Sequence, residues 1–111
     1  MSQKKINKNI LVIGGSGFMG SHVADELSNS GYKVKIFDQK PSEYLRDDQE
    51  FLEGNILNEE ELVSALENIS VVYYFAGVAE IKEAKNNPVN AININVMGLT
   101  YALNACVKQN I

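Results

Sequence analysis

The sequence predicts an α/β fold in which a parallel sheet is flanked by helices. Three observations predict it. Short apolar runs alternate with segments of helical periodicity. The first apolar run, residues 10–13, is uninterrupted, as in a strand that is buried on both faces of a parallel sheet. A glycine-rich turn then leads from this run directly into a helical pattern, as in the first half of a right-handed crossover.

The first half of the chain contains three predicted strands and one predicted helix. A strand over residues 10–13 is followed by a helix from about 17 to 30, with Gly31 placed as its left-handed cap. A second strand ends at Asp38, and the apolar pair at 51–52 indicates a short third strand.

The second half adds a helix, a strand and a long final helix. Asn58 and Glu61 have the spacing of a capping box, so a helix is predicted over residues 59–68. The β-branched and aromatic run at 71–75 predicts a fourth strand. A long helix begins at Pro88, and five apolar residues at helical spacing predict the face that it turns toward the core: Ile92, Val96, Leu99, Leu103 and Val107.

These elements predict a Rossmann-type sheet with the strand order 3-2-1-4. We expect residues 1–8 to form a flexible leader and residues 9–111 to form one domain. The fourth strand is expected at an open, apolar edge, since a fifth strand would follow Ile111 in such a fold. The sheet is therefore expected to be incomplete, so that the chain is part of a longer polypeptide or pairs with another chain along that edge.

Composition limits the classes of function. Ten basic and fourteen acidic residues give a net charge of −4, so no basic field is available for nucleic acid or an anionic membrane surface. The single cysteine, Cys106, has no disulfide partner in the chain and no neighbours at metal-ligand spacing. The apolar run near the N-terminus is too short for a signal peptide or a membrane span. We expect a cytoplasmic protein without a metal site.

The glycine-rich turn matches two forms of the dinucleotide-binding fingerprint. Gly15, Gly17 and Gly20 match G-x-G-x-x-G, and Gly14 with the same last two glycines matches G-x-x-G-x-x-G. Glycine at the strand exit permits a tight turn, at Gly17 it lets a pyrophosphate approach the backbone, and at Gly20 it lets helix and strand pack closely. The same glycines could serve a tight turn alone.

The residues around the turn favour a dinucleotide over a nucleoside triphosphate. The amides of Phe18 and Met19 are predicted to point at phosphates, helped by the helix dipole. Ser21 and His22 follow Gly20 where a Walker A loop has lysine and then serine or threonine, so nothing would neutralise a γ-phosphate.

Asp38 strengthens the interpretation of the turn as a cofactor site. It stands at the end of the second strand, close to the distance of about 20 residues at which a carboxylate binds the adenine ribose. The same charge repels a 2′-phosphate, so NAD is preferred, although Lys40 leaves NADP open. S-adenosylmethionine-dependent transferases also combine a glycine loop with a strand-end acid. Their loop does not usually need a third glycine for helix packing, the role predicted for Gly20 here, so this class is ranked low.

Several segments together resemble the extended short-chain dehydrogenase/reductase family, the NAD-dependent epimerases and dehydratases of nucleotide sugars. They are "GGSGFMGSHVADELSNSGYKVKIFD", "GNIL", "FAGVAE" and "NININVMGL", and the resemblance covers residues 9–111. It implies cofactor-binding roles at these positions: Gly14, Gly17, Phe18, Met19 and Gly20 at the pyrophosphate; Asp38 at the ribose; Asn55 and Ile56 at the adenine; Phe75, Ala76 and Gly77 along the cofactor; and Asn95 near the nicotinamide half. Asn55 replaces the family's usual aspartate, which weakens the expected adenine contact.

The resemblance also implies hydride transfer on a nucleotide sugar, with a tyrosine as acid/base and a lysine four residues later. None of the five tyrosines has a lysine at that spacing, so no catalytic residue is predicted within the chain. The chain is then the cofactor-binding part of an oxidoreductase or isomerase, without its catalytic and substrate-binding parts, and a homodimer is conceivable. The alternative is a non-catalytic dinucleotide-binding module, a sensor or scaffold. Asn95 borders the predicted inward face of the last helix, so its side chain is expected to point inward and to need a hydrogen-bond partner, either the cofactor or the backbone.

Overall fold

Four parallel strands form one sheet in the order β3-β2-β1-β4 in the computed structural model, which describes residues 8–111. The predicted strand order 3-2-1-4 is thus confirmed. The strands are β1 (Asn9–Ile13), β2 (Lys33–Asp38), β3 (Gln49–Glu53) and β4 (Val71–Tyr74). The predicted leader lies outside the described residues except for Lys8, whose carbonyl accepts a hydrogen bond from the Lys33 amide.

The strand β1 is the centre of the sheet, and both of its faces are buried. Leu11 and Ile13 belong to one apolar cluster, Val12 belongs to the other, and all three side chains are 0% exposed. β1 pairs with β2 on one side and with β4 on the other. An uninterrupted apolar sequence is what burial on both faces requires.

Helices cover the two faces. On the Val12 side lies α1 (Phe18–Asn29), which contributes Ala24 to the core, and Gly31 follows it with a φ of +94°, as its predicted role of left-handed cap requires. On the other side lie α2 (Glu59–Ala65) and the helix that closes the chain.

The start of α2 is capped, but the predicted capping box is only half formed. The Asn58 side chain accepts a hydrogen bond from the Glu61 amide at 3.2 Å. The Glu61 carboxylate accepts instead from the Asn55 amide, at 2.7 Å, which ties the end of β3 to α2. The helix also ends earlier than predicted, at Ala65, and Asn68 then adopts a φ of +61°.

The final helical segment is a continuous rod in three parts: α4 (Pro88–Ile92), a π-helical turn (Asn93–Gly98) and α5 (Leu99–Lys108). Lys108 at its end donates to Glu59 of α2 at 2.9 Å, and this hydrogen bond lowers the pKa of the Glu59 carboxyl. A short helix before the rod, α3 (Ile81–Asn86), was not predicted.

The predicted inward face of the rod is wrong. The five large apolar side chains from Ile92 to Val107 are between 39% and 73% exposed, and the buried residues of the rod are small: Ala91, Gly98, Ala102 and Ala105. Ile94, Tyr101 and Cys106 pack against the larger core cluster while partly buried. At Gly98 the rod comes very close to the loop after β3: a Cβ there would lie 2.5 Å from Cδ1 of Ile56, so a side chain does not fit at this position.

No helix among the described residues is long and apolar enough to cross a membrane.

Candidate functional site

A cleft of about 280 Å³ lies at the carboxyl ends of the strands. The turn after β1, the end of β2, the loop after β3 and the turn after β4 all open into it. Seven of the residues predicted to bind a cofactor line it: Gly14, Gly17, Asp38, Ile56, Phe75, Ala76 and Gly77. The cleft therefore lies where a doubly wound parallel sheet binds its ligand.

Three of the four loop glycines are required by packing within the protein. A Cβ on Gly15 would lie 2.7 Å from Cγ2 of Ile36. Gly14 has a φ of +80°, and a Cβ there would lie 2.5 Å from the Ala76 amide nitrogen. A Cβ on Gly20 would lie 2.2 Å from the Gly14 carbonyl oxygen. The contacts at Gly14 and Gly20 bring β1, α1 and the turn after β4 together around one point, and side chains at either position would force them apart.

Gly17 is different, because nothing within the described protein explains its missing side chain. Its φ is −77°, which any residue adopts, and a Cβ there would have one neighbour, the Gly14 carbonyl oxygen, at 3.5 Å. Gly17 lines the cleft and also a second concavity described below. A bare backbone facing a cleft is what the close approach of a ligand needs.

The start of α1, which directly follows Gly17, has amide groups without a side-chain acceptor among residues 8–111. Within the described residues no side chain caps its first turn, and that turn contains no acid, whereas α2 starts with a cap and three acids. The first amides of a helix have no acceptor within it. Those of Phe18 and Met19 are thus available to an anion, while their side chains are exposed.

Asp38 is held by backbone amides from two directions. Its Oδ2 accepts from the Ser16 amide at 3.1 Å, and its Oδ1 accepts from the Gln39 amide at 2.7 Å. Its own carbonyl accepts from Gly54. The carboxylate is therefore fixed between the glycine loop and the end of β3, where each oxygen still has lone pairs for further hydroxyl donors.

The two residues predicted at the adenine are placed differently. Ile56 is buried and lines the cleft. Asn55 is exposed, lies outside the lining, and turns its Oδ1 to the Leu57 amide at 2.9 Å, which leaves its side-chain amide as the free donor.

Asn95 binds the turn after β4. Its Oδ1 accepts from the Val78 amide at 2.6 Å, and its Nδ2 donates to the Val78 carbonyl at 3.0 Å. The expected partner is thus backbone, but the residue is exposed, and the expectation that it points into the core is wrong. A Cβ on Gly77 would lie 3.0 Å from the Asn95 oxygen, so Gly77 makes room for this contact.

The lining includes residues that sequence reasoning missed: Phe37, Gln39, Gly54, Val78, Glu83 and Ile94. Val78 directly follows the "FAG" turn, so its position in the sequence could have identified it as a lining residue. Glu83 lies on α3, whose six residues are too few to show a helical period. The charged side chains of the lining are both acids, Asp38 and Glu83, so the positive partner for an anion is the amide end of α1.

A second concavity, the α1 groove, adjoins the cleft at Gly17. It has a volume of about 550 Å³ and lies between α1 and the connection from β2 to β3. Its charged residues are Asp25 and Glu43, and its walls include Ser16, Phe18, Ser21, His22, Ser42 and Tyr44. Phe18 packs edge-on against His22, with 4.6 Å between ring centroids.

Comparisons with known proteins place the whole domain in one group. A family model described as the NAD dependent epimerase/dehydratase family matches residues 10–111. The UDP-glucose 4-epimerase of Rhizobium leguminosarum bv. trifolii is 31% identical over 112 residues, which cover 94% of this chain and 33% of the relative. The decarboxylating sterol-4-alpha-carboxylate 3-dehydrogenase of Mus musculus is 30% identical, over 94% of this chain and 28% of the relative.

Among solved structures, a UDP-glucose 4-epimerase from Brucella ovis in complex with NAD aligns with a TM-score of 0.81 and 34% identity, over 89% of this chain and 32% of that one. The chain spans about a third of the length of these relatives.

Proposed function

The chain belongs to the NAD-dependent epimerase/dehydratase family, and from this premise we propose that it is the NAD-binding, N-terminal portion of an enzyme that acts on a nucleotide sugar by hydride transfer. Residues 9–111 are the cofactor-binding domain in this proposal. The enzyme is an epimerase, dehydratase or reductase.

The observation that carries the proposal is the open backbone at Gly17. Gly14 and Gly20 are explained by contacts within the protein, but the space beside Gly17 is not filled by the described residues. It faces a cleft next to uncapped amides of α1. A pyrophosphate fits this setting, because its charge is compatible with a helix N-terminus and its oxygens accept from backbone amides.

The other cofactor-binding roles in this proposal rest on the family resemblance, and the cleft supports those of Asp38, Ile56 and residues 75–77, which line it. Asp38 accepts from the hydroxyls of the adenine ribose, and Ile56 and Asn55 lie at the adenine. Residues 75–77 border the path toward the nicotinamide, and Asn95 holds the neighbouring turn. NAD, when bound, supplies the hydride-accepting ring; the residues of this chain bind and orient it.

Charge near the ribose supports NAD over NADP. A 2′-phosphate next to Asp38 would meet its carboxylate, and the adjoining α1 groove adds Asp25 and Glu43 to the same side. Among the described residues that line this groove there is no lysine or arginine to bind a phosphate. Lys40 lies in the same connection, outside the lining.

The substrate class comes from the relatives. The matched segment is shared by a sugar-nucleotide epimerase and a sterol dehydrogenase, so it contains what the two have in common rather than what distinguishes their substrates. We therefore place substrate recognition and the acid/base tyrosine outside residues 9–111. The nucleotide sugar rests on the epimerase relatives.

A homodimer is the proposed assembly. The row of exposed apolar side chains on the rod, from Ile92 to Val107, is a patch of the kind that marks interaction sites on soluble proteins. Sedimentation tests it: the wild-type chain is expected to be dimeric and Leu103→Asp monomeric. A monomeric wild type would contradict the assembly.

The decisive experiment is a calorimetric titration of the chain with NAD, NADP and S-adenosylmethionine. NAD is expected to bind more tightly than the other two. Gly17→Ala is expected to fold as the wild type does and to lose at least about tenfold in NAD affinity, since the added methyl occupies the space of the pyrophosphate. Lys108→Met, at a residue that does not line the cleft, is the control. Unchanged NAD affinity in Gly17→Ala, or tighter binding of S-adenosylmethionine, would refute the proposal.

A further inference from the structure

We infer that Arg46 is a positioning residue for the adenosine end of the cofactor site, an inference that rests on the proposed function and deepens it. Arg46 lies in the connection of residues 39–48, which starts directly after Asp38 and leads to β3. It lines neither the cleft nor the α1 groove. Its guanidinium instead joins this connection to the last turn of α1.

The hydrogen bonds of the Arg46 guanidinium fix its orientation between Asp48 and α1. Nε and Nη2 bind the two carboxylate oxygens of Asp48 at 3.0 and 2.8 Å, a fork that fixes the plane of the group. The remaining nitrogen, Nη1, then donates to Oδ1 of Asn29 on α1 at 2.7 Å. The positive charge also lies near the C-terminal end of α1, where the helix dipole favours it.

Two neighbours of Arg46 complete the anchor. The Gln49 side chain is 9% exposed, and its Nε2 donates to Asp25 Oδ1 at 2.9 Å and to Ser28 Oγ at 3.1 Å. Its Oε1 accepts from the Arg46 amide. On the other side of Arg46 in the chain, Leu45 packs against the apolar cluster that contains Ala24. The end of the connection is thus bound to α1 by polar and apolar contacts together.

The anchor controls a segment that has little else to hold it. Residues 42–44 form the wall of the α1 groove that faces α1. Their recorded hydrogen bonds are local: Tyr44 and Leu45 donate to the hydroxyl and carbonyl of Ser42. Residues 42–44 are therefore held mainly at the two ends of the connection. At one end Asp38 binds the Ser16 amide, and at the other end Arg46 binds Asn29 of α1. The same groove is lined by Ser16, whose amide binds Asp38, and by Gly17 of the glycine loop. Release of the anchor therefore frees a wall that faces these two residues, whereas the turn after β4 does not line this groove.

The test separates the two ends of the cofactor. In the full chain, Arg46→Met is compared with Lys108→Met, which removes a partly exposed ion pair at a residue that lines neither the cleft nor the α1 groove. Affinities for NAD, adenosine monophosphate and nicotinamide mononucleotide are measured by calorimetry. In Arg46→Met we expect about fivefold weaker binding of NAD and adenosine monophosphate, because a mobile wall must be ordered on binding. Nicotinamide mononucleotide is expected to bind as it does to the wild type.

Each other outcome decides the question. An equal loss for both mononucleotides would assign Arg46 a general structural role and overturn the inference. Unchanged affinity for adenosine monophosphate would overturn it while the proposed function stands. A wild type that binds neither NAD nor adenosine monophosphate would overturn the proposed function, and the inference with it. If Arg46→Met does not fold, Asn29→Ala removes the nearer of the two acceptors on α1, leaves the Asp25 carbonyl at 3.5 Å, and is expected to show the same selective loss.

Discussion

The carboxylate of Asp38 accepts a hydrogen bond from the amide of Ser16 at 3.1 Å, across 22 positions of the chain. This contact joins the end of β2 to the glycine loop that follows β1. The ribose acid and the pyrophosphate loop are therefore one rigid unit, although they come from separate crossovers.

The first prediction concerns this unit. Asp38→Ala is expected to weaken NAD binding by about tenfold to a hundredfold, the usual loss when hydrogen bonds to a charged group are removed. Calorimetry of the chain measures it, and Asp47→Ala, which removes an exposed acid of the same connection, is the control. Equal NAD affinity in wild type and Asp38→Ala would show that the ribose acid is assigned wrongly.

The second prediction separates packing from ligand binding in the glycine loop. Gly20→Ala is expected to lower the free energy of unfolding by about 3 kcal/mol or more, because its Cβ would meet the Gly14 backbone at 2.2 Å. Gly17→Ala is expected to stay within about 1 kcal/mol of the wild type. Urea denaturation compares them, and similar losses in both variants would contradict the distinction.

The third prediction tests the double hydrogen bond between Asn95 and Val78. Asn95→Ala is expected to cost about 1 to 2 kcal/mol of stability and to weaken NAD binding, because the turn after β4 loses its attachment to the rod. Asn104→Ala, which removes an exposed amide further along the same rod, is expected to leave NAD binding unchanged. Hydrogen exchange of the Val78 amide gives an independent measure. Full protection of that amide in Asn95→Ala would count against the attachment.

The fourth prediction concerns Tyr74, whose buried hydroxyl has no hydrogen-bond partner among residues 8–111. Tyr74→Phe is expected to stabilise the protein by about 1 kcal/mol, since it removes an unsatisfied buried group. Burial raises the pKa of Tyr74 from its usual value of 10.0. The unfolded chain then loses this proton first as pH rises, so the wild type loses stability above about pH 10 in a way that Tyr74→Phe does not. Denaturation of both proteins between pH 8 and about 11 checks this, and parallel curves would refute it.

Much of the fold was predictable because local sequence and global structure agree there. The uninterrupted β1, Gly31 and the Asn58 cap each specify their conformation within a few residues, and their order then fixes the sheet. The face of the rod was not predictable in the same way. The prediction uses the spacing of the large apolar residues, whereas the buried positions of the rod are Gly98 and three alanines, of which Ala102 and Ala105 belong to the larger core cluster. The π-helical turn also shifts the phase between α4 and α5.

In the candidate site, too, some features are predictable from local sequence and others depend on tertiary packing. Gly14, Gly17 and Asp38 are assigned by spacing along the chain, and the structure brings them to one cleft. The contact of Asn95 with Val78 depends on where the turn after β4 lies relative to the rod, and the contact of Asn55 with Leu57 depends on a local turn. Such partners are set by tertiary geometry, which spacing alone does not contain. The cofactor-binding roles of all these residues stay predictions.

The pairing of β1 with β4 determines when the site can form during folding. Ile10 and Val71 are neighbours in the sheet but lie about 60 positions apart in the chain, so their pairing closes a longer loop, at an entropic cost about 1 kcal/mol above that of pairing β1 with β2. β1 pairs with β2 over a much shorter separation. Contacts between residues close in the sequence tend to form faster than contacts between distant ones. We therefore expect β1 and β2 to pair early and β4 to join the sheet late. The wall at residues 75–77 would then be the last part of the cleft to appear, and a cofactor would bind only a chain that has finished folding.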